Sequence, residues 1–257
     1  MTKDVPGSQR RESFDSAAVV TGHSRGLGAA IAAHLLARGA RVLGVSRQPN
    51  AELAARYGDT LVEAQLDLAD SAAVTRWLEG EAFERFLART ETALLVNNAG
   101  IVQPTGPLGS QDAGTIARAV AVNVGAALMM SAAFVTASRA AGDRRILHIS
   151  SGAGRNAYAG WSVYCATKAA LDHHARAVAL DRTPALRIAS VAPGVIDTDM
   201  QAEVRATTDD KLPSRGRFVE MKREGRLLSP DQAGRAVTEY LLSDAFVREP
   251  VTDVRPR

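Results

Sequence analysis

Residues 16–28 read Ser-Ala-Ala-Val-Val-Thr-Gly-His-Ser-Arg-Gly-Leu-Gly. The apolar run 16–22 ends in glycine, and Ile31, Leu35 and Leu36 then recur at helical spacing as far as Gly39. This is a strand, a glycine turn and a helix. The glycines stand as G-x-x-x-G-x-G, a variant of the turn that receives a dinucleotide pyrophosphate. Gly22 permits the tight turn, Gly26 lets a phosphate approach the backbone, and Gly28 lets the helix sit close to the strand. The helix amino terminus then faces the anion, with Ser24, Arg25 and Leu27 filling the intervening positions.

The same alternation continues along the chain. Strands are expected at 41–46, at the end of TLVEAQLDL, at 93–97, 144–150 and 187–192, with a last one near Val251. Helices are expected at 72–87, 113–140 and 162–180, and over 231–242 behind a Ser229 cap and Pro230. Strands joined by helices of this length pair in parallel, which predicts an α/β, doubly wound (Rossmann), mostly parallel sheet covered on both faces. One domain is expected over residues 16–257, after a flexible leader at 1–15. A substrate lid is expected at about 196–226, a polar, weakly periodic stretch with too little apolar material to pack firmly.

With 257 residues, 46% of them hydrophobic and 23% charged, the chain can bury one sizeable core. The net charge of +3 is dispersed and aromatics make up 5%, which argues against nucleic acid as a partner. A lone cysteine, Cys165, excludes an intramolecular disulfide and a cysteine-ligated metal, and no other metal-ligand cluster stands out. The amino terminus lacks an apolar signal segment, and no apolar run approaches the 18 residues of a membrane span. A cytoplasmic protein without a membrane partner is the expectation. Lysine occurs only at positions 3, 168, 211 and 222.

The second strand ends Val45-Ser46-Arg47, without the carboxylate that would hold an adenosine ribose diol. Ser46 and Arg47, with Arg25 opposite, suit a 2′-phosphate, so NADP(H) is the expected cofactor. Asp67, followed by Leu68, can accept from the adenine amine or cap the next helix, and His23 reads as a loop residue.

Tyr164 and Lys168 stand at i and i+4 and share a helix face. Ser151 follows a strand at the sheet edge where such folds place ligands. An ammonium beside a phenol favours the phenolate and brings the tyrosine into range for acid–base work.

These pieces together resemble the short-chain dehydrogenase/reductase family over nearly the whole chain. The matching segments are TGHSRGLG at 21–28, Asp67, NNAG at 97–100, Asn123 in AVNVG, Ser151 in ISSGA, YCATK at 164–168 and PGVIDTDM at 193–200. The resemblance implies a catalytic tetrad of Asn123, Ser151, Tyr164 and Lys168. It also implies nicotinamide-side contacts from Asn98, Ala99, Gly100, Pro193, Gly194, Ile196 and Thr198. In the implied reaction Ser151 holds a substrate carbonyl oxygen and Tyr164 protonates it. Lys168 lowers the tyrosine pKa and holds the nicotinamide ribose, while Asn123 positions a water.

The carboxyl-terminal third is similar to sepiapterin reductases and bacterial benzil reductases. That implies NADPH-dependent reduction of a ketone or vicinal diketone, a small-molecule carbonyl substrate. Ala153, Gly154, Arg155, Asn156, Trp161, Met200 and Val204 are expected on the substrate side; Trp161 either stacks a flat substrate or packs against the lid or a subunit. Asp253 corresponds to the pterin-anchoring acid with a one-residue offset. Alternative readings are a 3-oxoacyl-(acyl-carrier protein), polyketide or hydroxysteroid ketoreductase, or an NADP(H)-binding regulator without turnover. The family also implies a homodimer or homotetramer paired through the helices at 113–140 and 162–180.

Overall fold

The computed structural model describes residues 15–254. Of the leader expected at 1–15, all but Asp15 lies outside the described residues. Among the described residues, seven strands form one parallel sheet: β1 (Ser16–Thr21), β2 (Arg41–Ser46), β3 (Leu61–Gln65), β4 (Thr92–Asn97), β5 (Asp143–Ile149), β6 (Leu186–Ala192) and β7 (Val251–Asp253). Their order is β3-β2-β1-β4-β5-β6-β7, and every neighbouring pair is parallel. The chain winds outward from β1 in one direction and from β4 in the other. A crevice therefore opens at the carboxyl ends of these two strands.

Helices cover both faces. On one, α1 (Gly26–Leu36) and α10 (Pro230–Leu242) seat Ile31, Leu35, Val237 and Leu241 on Val20, Leu94 and Leu147. On the other, α3 (Ser71–Glu79), α4 (Glu81–Leu87), α6 (Ala126–Ala137) and α7 (Ser162–Leu180) pack against Val19, Leu95 and Ile146, led by Phe83, Met130 and Phe134. The strands lie between two apolar layers, which is why they read as unbroken apolar runs.

Four local readings need correction. The helix expected at 72–87 is two, divided at Gly80, and a short helix α2 (Ala51–Tyr57), capped by Asn50, lies where none was expected. The helix expected at 113–140 is α5 (Ala113–Val120), a π-helical turn Ala121–Gly125, and α6. Its whole length, Ala113–Ala137, is long and apolar enough by composition to cross a membrane, contrary to the sequence expectation. Here it packs through Met130 and Phe134 into the core.

The fourth concerns 196–226. This stretch forms α8 (Asp199–Ala206) and α9 (Arg215–Arg223), and Val204, Leu212 and Phe218 are buried. Its apolar residues are few, but they converge on one cluster with Val102, Ala153, Trp161 and Tyr164.

Candidate active site

The glycine turn follows directly from β1. Gly22 and Gly26 have φ of 71° and 57°, the left-handed region where a side chain is strained. A Cβ on Gly28 would stand 2.1 Å from the Gly22 carbonyl oxygen and 2.4 Å from Asn98 Nδ2. The turn and α1 are thus closed on one another with no room for a methyl group. Thr21 and Asn98 lock this geometry: Asn98 Nδ2 donates to the Thr21 carbonyl (2.8 Å), and Asn98 and Ala99 N–H both donate to Thr21 Oγ1 (3.0 Å). Asn50 Nδ2 donates to the Ser24 carbonyl, tying α2 to the same turn. Thr21 and Asn50 escaped sequence reasoning because their partners lie 77 and 26 residues away.

One cleft of about 1060 Å³ runs along the carboxyl edge of the sheet. Its walls include Gly22, Ser24, Arg25, Gly26, Leu27 and Gly28 from the turn, Ser46 and Arg47 from the end of β2, and Asp67 and Leu68 after β3. Asn98, Ala99 and Gly100 follow from β4, and Pro193, Gly194, Ile196 and Thr198 from the segment after β6. Ser151, Tyr164 and Lys168 line its other end, beside Ala153, Trp161, Met200 and Val204. The residues expected to touch cofactor or substrate reach this surface, except Gly154, Arg155 and Asn156, which lie off it; Arg155 is turned instead toward Asp172 and the Thr252 carbonyl. Asn123 lies behind it, 1% exposed.

The cradle fits a dinucleotide. The first turn of α1 carries no acidic side chain, and Arg25, which precedes it, makes no side-chain cap, so its leading N–H groups stay turned to the cleft. Arg25 forms an exposed ion pair with Asp199 on α8 (3.0 Å). The Asp67 carboxylate accepts from Ala69 N–H (3.0 Å) and pairs with Arg118 (3.4 Å), and these hold it below the usual carboxylate range. The helix cap expected of it belongs to Asp70 instead. His23 is buried against Gly44, where a Cβ would strike its ring, and its Nε2 lies 2.6 Å from Glu63 Oε1.

At the reacting end, Ser151 starts the short turn Gly152–Gly154, accepts from Ala153 N–H (3.2 Å) and hydrogen-bonds the Tyr164 phenol. Burial pushes the Tyr164 pKa up to about 12, and the bond from Ser151 only partly opposes this. Burial likewise brings Lys168 down to about 8, against the pull of the Asp172 carboxylate. The expected lowering of the tyrosine pKa by Lys168 is therefore not what the geometry gives. Lys168 Nζ donates to the Ile149 carbonyl (2.8 Å) and stands 5.7 Å from the phenol ring centroid. Desolvation outweighs an ammonium at that range.

Asn123 sits in the π-helical turn, which rotates it inward. Its Oδ1 accepts from Ile101 N–H (2.8 Å), and its Nδ2 donates to the Ile101 carbonyl (2.8 Å) and Thr167 Oγ1 (3.1 Å). It clamps the segment after NNAG onto α7. Trp161 takes the packing role: it is 6% exposed and tilts against Phe218 of α9 and against Tyr164, with ring centroids 5.5 and 5.4 Å away. Tyr158 and Phe218, which also line the cleft, were missed because single aromatics in a polar stretch carry no periodic signal.

The comparisons agree with this geometry. A protein of Bacillus cereus, "Benzil reductase ((S)-benzoin forming)", is 34% identical over 239 residues, covering 89% of this chain and 94% of its own. The sepiapterin reductase of Meriones unguiculatus is 32% identical over 245 residues, with 89% and 92% covered. A crystal structure of a short-chain dehydrogenase/reductase from Burkholderia vietnamiensis is 53% identical, superposes with a TM-score of 0.70, and is matched over 95% of this chain and 98% of its own. The family model described as short chain dehydrogenase matches residues 16–209. The turn, the cleft and the Ser–Tyr–Lys group thus have one common source: the chain belongs to the short-chain dehydrogenase family, oxidoreductases that use a nicotinamide dinucleotide.

Proposed function

We propose that the protein is an NADPH-dependent carbonyl reductase acting on ketones and vicinal diketones with bulky apolar or aromatic substituents. The observation that carries this reading is the Ser151–Tyr164 pair at the floor of an apolar chamber. Its walls are Val102, Ala153, Tyr158, Trp161, Met200, Val204 and Phe218. Such walls bind large apolar substituents and leave polar discrimination to the reacting oxygen. The benzil and sepiapterin reductases among the relatives support the same substrate class.

The phosphate preference rests on the end of β2. Ser46 and Arg47 line the cleft there with Gln48 and Pro49, and no carboxylate accompanies them. Arg25 lines the same cleft from the glycine turn, but its guanidinium is paired with Asp199 of α8, so Ser46 and Arg47 carry the preference. The NADPH dinucleotide would lie from Arg47 and Asp67, past the glycine turn, to Asn98 and Lys168, and when bound it supplies hydride to the substrate carbon.

The chain's own residues manage the oxygen. Ser151 donates a hydrogen bond to it, and Tyr164 hands over the phenolic proton as negative charge develops. A phenol held at about 12 keeps its proton throughout the neutral range, as a donor must. Lys168, as an ammonium, stabilises the phenolate left behind, and Asn123 keeps the wall opposite it in place.

A second reading, reduction of a pterin ketone, is favoured by Asp253, which reaches the cleft lining from β7. We also propose a cytoplasmic homo-oligomer. The exposed Val120 on α5 and Leu180 at the end of α7 support pairing through those helices.

The test is NADPH consumption with benzil, sepiapterin and an acetoacetyl thioester, each repeated with NADH and with Arg47→Asp. Preference for benzil is expected, together with a loss of NADPH affinity in the variant that far exceeds its loss of NADH affinity. Preference for the thioester would overturn the substrate class. Equal losses for the two cofactors would overturn the phosphate contact.

A further inference from the structure

Asp172 stands one turn beyond Lys168 on α7, as Lys168 stands one turn beyond Tyr164, so the three share one helix face. It is 1% exposed. Its Oδ1 accepts from Ser190 Oγ on β6 (2.7 Å), and its Oδ2 accepts from Arg155 Nε (3.3 Å). Arg155 comes from the turn just after Ser151, and its Nη2 also donates to the Thr252 carbonyl of β7 (2.8 Å). Between them, a Cβ on Gly154 would fall 2.9 Å from the Lys168 carbonyl carbon and 3.0 Å from Asp172 Oδ2. The turn bearing Ser151 is therefore seated directly on α7 at Lys168–Asp172.

A carboxylate this deeply buried is stable only with partners, and here it has a hydroxyl and a guanidinium, with the Lys168 ammonium one helical turn away within reach of its field. We propose that Asp172 and Arg155 are positioning residues for the reacting pair. Asp172 holds Lys168 as its ammonium. Arg155, by pairing with Asp172, limits that pull and pins the Ser151 turn to the catalytic helix. The catalytic relevance rests on the reading of Tyr164 and Lys168 given above; the control of the Lys168 charge does not.

Other groups around Lys168 do not substitute for this pair. Tyr164 is neutral, and His148 on β5 is kept uncharged by burial. Asn123 is uncharged, Arg118 of α5 is engaged with Asp67, and Arg187 of β6 with Asp143. Asp253 on β7 lies at the cleft wall. Of these elements, α7 itself brings the one carboxylate whose pull on Lys168 offsets its burial.

The small number of lysines makes the test direct. With only four in the chain, lysine labelled with carbon-13 at Cε gives a short spectrum, and Lys168 is identified by its loss in Lys168→Met. In the full chain without substrate, the Lys168 midpoint is expected to fall by about one pH unit in Asp172→Asn and to rise in Arg155→Met. Arg155→Lys should restore the wild-type midpoint. During carbonyl reduction, the alkaline limb of kcat should move with these midpoints, and the substrate KM should rise in Arg155→Met.

Opposite shifts from two neighbouring substitutions are not produced by loosened packing. Unmoved midpoints in both variants would overturn the proposal whether or not a carbonyl is reduced. Moved midpoints without turnover of any carbonyl would support the charge control and overturn the reductase reading. Should Asp172→Asn not fold, the Arg155 pair still decides, because that side chain is partly exposed.

Discussion

Lys168 donates to the Ile149 carbonyl at 2.8 Å while its Nζ stands 5.7 Å from the centre of the Tyr164 ring. The two groups are neighbours on one helix face, yet burial drives their pKa values apart in opposite directions, the phenol to about 12 and the ammonium to about 8. Below about pH 8 the pair is phenol plus ammonium, the form that donates a proton to a carbonyl oxygen. The reduction rate should therefore stay level through the neutral range and fall as pH rises through about 8, where Lys168 loses its charge. Tyr164→Phe should cost about 10²- to 10⁴-fold in kcat while NADPH binding persists. Rate–pH profiles and cofactor titrations check both. A rate that climbs above pH 8, or a variant that keeps its turnover, would contradict these roles.

Gly28 offers a second measurement. The methyl group of Gly28→Ala would meet the Gly22 carbonyl oxygen at 2.1 Å and Asn98 Nδ2 at 2.4 Å, and a carbonyl locked by the turn cannot step aside. Either α1 lifts from β1 or the turn opens, at about 1–3 kcal/mol for an overpacked site. Both movements misplace the N–H groups meant for the pyrophosphate. NADPH affinity should fall by at least about tenfold, which is about 1.4 kcal/mol. Gly109→Ala, at a position with nothing within 4 Å, should change neither stability nor affinity. Equal effects at the two sites, by cofactor titration and urea unfolding, would refute the cradle.

What could be read from sequence and what could not divides along the distance between partners. The glycine turn and the Tyr164–Lys168 spacing are local: four residues on a helix fix a shared face whatever surrounds it. The apolar strand runs were equally legible because each is buried on both faces. Asn123 stands out in sequence by its motif, but the bonds that hold it run to Ile101 and Thr167, over 22 and 44 residues. The raised Tyr164 pKa was not legible at all. It depends on Trp161, Val204 and Phe218 closing over the phenol, and no spacing rule foretells a desolvated cluster. The packing of residues 196–226 was underestimated for a related reason, since three well-aimed apolar side chains, Val204, Leu212 and Phe218, outweigh a polar composition.

Beneath the NNAG turn lies a second buried polar chain. Asn97 Nδ2 donates to His148 Nδ1 (3.1 Å) and to Ser131 Oγ (3.1 Å), and His148 Nε2 meets His174 Nδ1 (3.0 Å). His148 is fully buried and held neutral, its pKa brought down to about 3 by desolvation and by the neighbouring His174 and Lys168. An unfolded chain takes up this proton near pH 6.5, the folded one only near 3. Stability is therefore complete above about pH 6.5 and is lost as pH falls below it, by about 1.4 kcal/mol per pH unit from this one site. In His148→Gln the amide cannot titrate. The variant should be less stable at pH 7 by about 1–3 kcal/mol, through the disturbed bonds to Asn97 and His174. Its loss of stability on acidification should be distinctly shallower than that of the wild type. Urea unfolding of both proteins at one protein concentration, stepped from pH 7 to about pH 4.5, gives the two slopes. Parallel slopes would show that His148 is not the group that takes up the proton on unfolding.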